Sequence, residues 1–229
     1  GKLDVVATGF RAVNGFGISA DGALSAGDNQ GHWVPTCSLY YPIKNGGYYG
    51  FPFCAQRTPV PPEGELPLCW LPMEGDNSPG GQTWVTSTKW GPFSGKMLHT
   101  SYGKCTLFHV FTQQAGAVLQ GGVVPFPLRF GAGVMRARFN PLDGQLYLCG
   151  LRGWDTTAVK DAGFVRVRYT GKAVNMPLSL IATQHGMEIA FTDALDVASA
   201  TSAENYSIEV YNVRRSANYG SPEYSIAEP

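Results

Sequence analysis

Two hairpins written in the same way constrain the fold of this chain more than anything else in it. Across residues 133–150 an alternating run leads through an Asp143-Gly144 turn into a second alternating run, and across residues 14–29 the same order appears around Asp21-Gly22. Asp-Gly supplies the positive φ that a tight hairpin needs, and period-two alternation marks strands with one buried face. Such a hairpin repeated along one chain predicts radially arranged four-stranded blades, because each small sheet can bury its face only against the next. In the later copy the first strand sends Arg136 and Arg138 to one side of its sheet.

Composition supports an ordered, strand-rich chain. Of 229 residues, 44% are hydrophobic and 15% charged, which is enough apolar material for a substantial core. The 29 glycines and 16 prolines, together with 12% aromatic residues, predict many short strands joined by turns and little helix. The 17 basic and 17 acidic residues cancel, which argues against nucleic acid or an anionic membrane as partner. No apolar run reaches the roughly 20 residues of a membrane-spanning helix. The chain opens at Gly1 with neither initiator methionine nor signal peptide, so it reads as a processed, tagged or internal segment. Its five cysteines show no CxxC, haem-attachment or metal-ligand spacing. Cys37, Cys54 and Cys69 flank loop-rich sequence where a disulfide suits an oxidising compartment, whereas Cys105 and Cys149 read as small buried hydrophobes in strands.

A first blade is expected from strands at 5–8, 15–19, 23–26 and 38–43. A long connection then runs from Lys44 to about Leu66 and carries the Pro59-Val60-Pro61-Pro62 cluster. The second blade would use 68–71, 83–87, 97–101 and 106–111, and the third 117–124, 133–139, 145–148 and 164–169. Past Gly171 the pattern changes to a hairpin at 177–192, a polar stretch and a strand at 206–211, which predict the opening strands of an immunoglobulin-like sandwich. The expected fold is all-β, with residues 1–171 a partial β-propeller of about three four-stranded blades and residues 172–229 an incomplete immunoglobulin-like segment.

Several motifs together carry a resemblance: Asn14-Gly15-Phe16-Gly17 with Asp21-Gly22, the loop from Gly27 to Pro35, Gly46-Gly47-Tyr48-Tyr49-Gly50-Phe51-Pro52, His99-Thr100-Ser101-Tyr102-Gly103, Leu151-Arg152-Gly153-Trp154 and Arg166 to Gly171. On these, residues 1 to about 171 resemble the C-terminal half of the six-bladed propeller of soluble quinoprotein glucose and sorbosone dehydrogenases, in the variant found in large secreted multidomain proteins of planctomycete-type bacteria. The resemblance implies a periplasmic or extracellular location, pyrroloquinoline quinone (PQQ) and Ca²⁺ as cofactors, a carbohydrate ligand and a cytochrome c as electron acceptor. It also implies that the remaining blades, or another subunit, complete the ring. The family's base histidine comes from blades that precede this segment.

Candidate site residues follow from both readings. Arg136 and Arg138 occupy the strand that holds the anionic quinone in the family, where a planar guanidinium fork suits carboxylates. Asp28, Asn29 and Gln30 are oxygen donors of the kind Ca²⁺ prefers, and equally the residues of an Asx-stabilised turn. His99 is a candidate proton acceptor and Tyr102 a neighbour of the quinone at the same axial face; a hydrogen-bonded structural role competes for His99. No GxSxG, Walker loop, Rossmann fingerprint or HExxH occurs, which sets aside hydrolase, nucleotide and zinc-protease chemistry. Two functions stay open: a non-catalytic binding or structural propeller module, and part of a quinone-dependent sugar or alcohol dehydrogenase.

Overall fold

The computed structural model describes residues 1–227. Short glycine-punctuated runs fold into small sheets. Strand β1 (Ala7–Thr8) precedes a four-stranded sheet made of β2 (Val13–Ile18), β3 (Leu24–Asp28), β4 (Cys37–Tyr40) and, after the short β5 (Gly47–Tyr48), β6 (Cys69–Leu71). A second four-stranded sheet joins β7 (Pro79–Trp84), β8 (Met97–Ser101), β9 (Thr106–Ala115) and β10 (Val118–Pro125). The third is three-stranded, with β11 (Gly133–Phe139), β12 (Leu146–Leu151) and β13 (Ala162–Val167). A hairpin of β14 (Pro177–Thr183) and β15 (Gly186–Phe191), the helix α1 (Val197–Thr201), and a last pair, β16 (Tyr211–Asn212) with β17 (Tyr224–Ser225), complete the order. All pairs are antiparallel except β1 with β5.

The fold is all-β with very little helix, as the turn chemistry predicts. The strand grouping differs from the expected one in a regular way. Cys69–Leu71 pairs with Cys37–Tyr40, and Val118–Pro125 pairs with Thr106–Ala115. Each run read as the start of a new blade is the outer strand of the sheet before it. Hairpin turns reveal neighbouring strands, but the return strand after a long loop closes its sheet without a turn signal.

The innermost strands β2, β7 and β11 lie side by side because glycine lets their backbones approach. A Cβ on Gly17 would sit 2.6 Å from the Gln82 carbonyl oxygen, and one on Gly80 would sit 2.6 Å from that of Val134. Two apolar layers fill the space between sheets. Cys37, Leu39, Leu71, Met97 and Val110 pack between the first and second; Leu98, Leu107, Val134, Ala137, Leu146 and Leu148 pack between the second and third, closed by Trp90 and Phe93. Each fully buried leucine of this kind contributes about 1.5–3 kcal/mol.

The C-terminal region docks back onto the sheets. In β14, Ala182 exchanges two hydrogen bonds of 2.9 Å with the Gln113 side chain of β9, and Met176 joins the core beneath it. Of the expected strand at 206–211 only Tyr211 is in a strand, and its partner is Tyr224–Ser225 rather than a sandwich sheet. Residues 215–221 instead close over the loop at 31–35: Trp33 donates to the Ser216 carbonyl (2.7 Å), Gly220 to Gly31 (3.1 Å) and Ser221 to Pro35 (2.8 Å). Glu228 and Pro229, the end of the expected second segment, lie outside the described residues.

All five cysteines carry free thiols. Cys37 lies opposite Leu71, and Cys69 opposite Leu39, so neither cysteine faces the other. Burial pushes both thiols up to about 12, with Asp76 adding to the effect at Cys37. Cys149, expected inside, is exposed on the outer face of the third sheet.

His109 in β9 gives the fold a pH dependence. It is buried against the edges of Phe93 (5.5 Å) and Phe111 (4.9 Å), with Nδ1 3.4 Å from the Pro177 carbonyl and no partner for Nε2 among the described residues. Burial pushes its pKa down to about 4, against the pull of the Pro177 carbonyl and with a smaller push from Lys96. A folded value below the unfolded 6.5 means that the unfolded chain takes up the extra proton between those limits, so stability is gained as pH rises through this window and lost as it falls. Asp28, pushed up by burial, acts with the opposite sign near its own range. The expected difference is therefore between variants: His109→Asn should remove about 2–3 kcal/mol of the rise in stability between about pH 4 and 7. Urea midpoints at both pH values check this, and an unchanged rise contradicts it.

Candidate functional site

The predicted site residues come to β3 and the loop after it, to β8 and the turn after it, and to the outer face of the third sheet. Asp28 ends β3, fully buried, and its two carboxylate oxygens accept the backbone N–H groups of Arg11 (2.9 Å) and Ala12 (2.7 Å). Burial pushes its carboxyl up, and those two bonds pull against it. Asn29 donates to the Ala12 carbonyl (2.6 Å) and accepts from the Ser78 hydroxyl (3.1 Å). Gln30 donates its side chain to Pro35 (3.2 Å), while its carbonyl accepts from Arg11 (2.9 Å). The three therefore fasten the chain entering β2 to the end of β3. His32, in the same loop, sits 2.9 Å from the Ala217 carbonyl.

His99 lies in the middle of β8, completely buried. Its Nε2 is 2.8 Å from the Asp76 carboxylate and its Nδ1 3.1 Å from the Gln82 amide nitrogen. Gln82 in turn accepts from Ser25 (3.0 Å) and donates to the Gly80 carbonyl (2.9 Å). Asp76 accepts from the Ser101 hydroxyl (2.6 Å) and the Ser78 N–H (3.1 Å). The amide N–H of Gln82 meets Nδ1 as an acceptor, so Nε2 carries the proton and donates it to Asp76. A chain of buried polar groups, Ser25, Gln82, His99, Asp76 and Ser101, thus crosses from the first sheet through the second. Sequence reasoning missed all of these but His99. The available signal was Gln82 itself, a polar residue in the middle of an inner strand, which must find partners if buried.

Tyr102 donates its N–H to the Ser78 carbonyl (3.0 Å) and places its hydroxyl beside Gly153. Asn29, His99 and Tyr102 therefore meet around residues 76–78, where what joins them is hydrogen-bonded scaffolding. The arginines lie elsewhere, on the innermost strand β11 of the third sheet. Arg136 reaches across to the Asn14 carbonyl of β2 (2.6 Å) and also donates to Met135 (2.8 Å); the exposed Arg138 donates to Ala137 (2.8 Å). Register puts Arg136 opposite Cys149 and Arg138 opposite Tyr147. Both arginines thus share the outer face of the third sheet with Phe164, whose ring stacks on Tyr147 at 5.6 Å.

Three small sheets converging on glycine-rich inner strands can be compared directly with solved structures. The likeness they show is one of fold. The chain is similar to a putative oxidoreductase (glucose dehydrogenase) from Thermus thermophilus, with 19% identity, 71% of this chain and 46% of that chain covered, and a TM-score of 0.51. It is similar to another glucose dehydrogenase at 19% identity over 72% of this chain and 47% of that one, TM-score 0.51. The PQQ-bound form of an aldose sugar dehydrogenase from Streptomyces coelicolor gives 17% identity, 72% and 45% coverage, and a TM-score of 0.50. The chain spans about half the length of these structures. No family model matches it, and comparison with curated proteins gives no match.

Among the described residues, no group of three or more His, Cys, Asp or Glu side chains is placed to hold a metal ion, and no helix is long and apolar enough to cross a membrane.

Proposed function

We propose that this chain is a non-catalytic binding or structural part of a propeller, about half of one, completed by further sheets that belong to a preceding segment or to another subunit and working outside the cytoplasm. The observation that carries this reading is that the polar groups expected to do chemistry are engaged within the chain. Asp28 gives both oxygens to backbone amides. His99 has both ring nitrogens bonded in a sealed interior. A proton acceptor must be reachable by the group it deprotonates, and His99 is not. Asp28, Asn29 and Gln30 likewise do not fit a Ca²⁺ cradle, because their side chains are committed to fastening the loop. We therefore read His99 and residues 28–30 as scaffolding.

The second reading, part of a PQQ- and Ca²⁺-dependent sugar dehydrogenase that passes electrons to a cytochrome c, is favoured by the position of Arg136 and Arg138 on an innermost strand with Arg138 exposed. Even there, Arg136 uses its donors on two backbone carbonyls. The experiment is dye-coupled oxidation of glucose by this chain assembled with the sheets that complete its ring, supplied with PQQ and CaCl₂. No quinone-dependent turnover is expected. Turnover that disappears in the Arg136→Ala, Arg138→Ala double variant would overturn the non-catalytic reading.

Assembly follows from two open faces at the ends of the arc. On the first sheet Phe16 and Ile18 are 56% and 59% exposed; on and beside the third, Phe164 and Trp154 are 75% and 83% exposed. Apolar sheet faces of this kind mark interaction surfaces, and we read them as the seats of the completing sheets.

A further inference from the structure

The first two sheets have four strands each, and the third has three. Its outermost strand, β13, pairs with β12 along its whole length, and among the described residues no backbone hydrogen bond from any other segment reaches it. Register shows what this leaves bare. Val165 lies opposite Leu148, which is buried in the core, so Val165 faces inward, yet it is 36% exposed. On the third strands of the other two sheets, Leu39 of β4 and Leu107 of β9 are fully buried, and there a fourth strand, β6 or β10, lies alongside. β13 carries no proline, lysine or bulge of the kind that guards an open edge. Residues 1–5 supply the converse. They lie in no strand, and Lys2 and Asp4 pair only with each other, at 3.0 Å, while Leu3 is 90% exposed and Val5 also stands in solvent. We propose that residues 1–5 of a second copy of this chain add to β13 as the fourth strand of the third sheet, each copy giving its strand to the other.

Three features select that partner. The first is polarity. In an extended segment Leu3 and Val5 share one face, where they would meet Val165 and Val167, and Lys2 and Asp4 share the other. That second face falls on the open side of the third sheet, where Asp143 and Arg166 carry the opposite charges. The second is direction. Register puts Tyr40 on the same face of the first sheet as Ala26 and Phe16. Tyr49 and Phe10 pack on Tyr40 at 4.8 and 5.8 Å, and the pair of β1 with β5 lies between them in sequence and space. The segment leading into β1 therefore leaves from the open side, toward whatever covers it. The third is size. The chain spans 46% and 47% of two solved structures of similar fold, so two copies match the length of one such ring. A two-fold axis then makes both joints identical and leaves neither end open. This rests on the reading that further sheets complete the ring, and goes beyond it by naming those sheets as a second copy and the strand that joins them.

The test is amide hydrogen exchange of the 229-residue chain, followed across a dilution series with the mass read by light scattering. Strand addition pairs the alternate β13 amides that point away from β12, so in the associated protein these should exchange roughly tenfold or more slowly than in the dilute monomer. The associated species should have twice the 24.6 kDa mass of one chain. Leu3→Asp with Val5→Pro, both at solvent-exposed positions outside the sheets, should abolish the protection on β13 while leaving that of Leu98 and Leu107 in the central sheet intact. Association with β13 unprotected would overturn the strand exchange and leave the ring reading standing. Protection that persists in the double variant, a species heavier than two chains, or a protein that stays monomeric at every concentration would each overturn the proposal as well.

Discussion

Replacing His99 with alanine is expected to lower the unfolding free energy by about 3–5 kcal/mol, the cost of breaking a buried, hydrogen-bonded polar pair. The change would strand the Asp76 carboxylate, which loses its 2.8 Å partner, and the Gln82 amide, which loses its 3.1 Å partner, at positions that water does not reach. It would also leave a cavity between β8 and its neighbours. His99→Gln keeps a donor and an acceptor on a side chain of similar reach and should lose less. Urea unfolding of the three proteins measures the effect. A loss below about 1 kcal/mol for His99→Ala, the net value of one ordinary hydrogen bond, would mean that the buried chain of polar groups does not hold the two sheets together.

The second large effect is expected at Arg215, which the sequence offers no reason to single out. Its guanidinium donates to four oxygens on the first sheet and its flanking loop: the carbonyls of Trp33 (3.3 Å), Tyr49 (3.1 Å) and Glu65 (3.3 Å) and the hydroxyl of Tyr40 (3.0 Å). It also lies 5.4 Å from the Trp70 ring. Gly50 is needed beside it, since a Cβ there would meet the guanidinium carbon at 2.7 Å. Arg215→Ala removes charge-assisted bonds from one side chain and should cost about 2–4 kcal/mol. The loss should be local. Hydrogen exchange should speed up at the amides of Trp33, Gly220 and Ser221, which bond the docked segment, while Leu98 and Leu107 in the central sheet stay protected. Arg215→Lys should not rescue, because a point ammonium lacks the planar fork that reaches several acceptors at once. Unchanged exchange at Trp33 and Ser221 would contradict the docking.

How far these features could be read in advance depends on whether their signal is local. Asp21-Gly22 and Asp143-Gly144 marked their hairpins because turn chemistry resides in adjacent residues. The alternation around Arg136 and Arg138 placed both correctly on one face of an inner strand. The outer strands Cys69–Leu71 and Val118–Pro125 close the sheets before those their sequence position suggests, since their partners are set by packing after a loop rather than by any local motif. His99 was legible as a histidine in a strand, but its partner Asp76 comes from a loop 23 positions away, and nothing in one sequence records that meeting. The docking of residues 215–221 onto the first sheet spans about 180 positions and has no sequence signature.

The most direct test of the account is the mass of the 229-residue chain in solution, measured by light scattering at micromolar concentration with and without substitutions on the two open faces. If Phe16 and Phe164 mark surfaces built to be covered by further sheets, the unaltered chain should associate into species heavier than the 24.6 kDa monomer, and Phe16→Glu with Phe164→Glu should return it to monomer without loss of β-sheet circular dichroism. A monodisperse 24.6 kDa protein before any substitution, giving no fluorescence enhancement with a hydrophobic dye, would contradict the central claim that this chain is part of a larger ring.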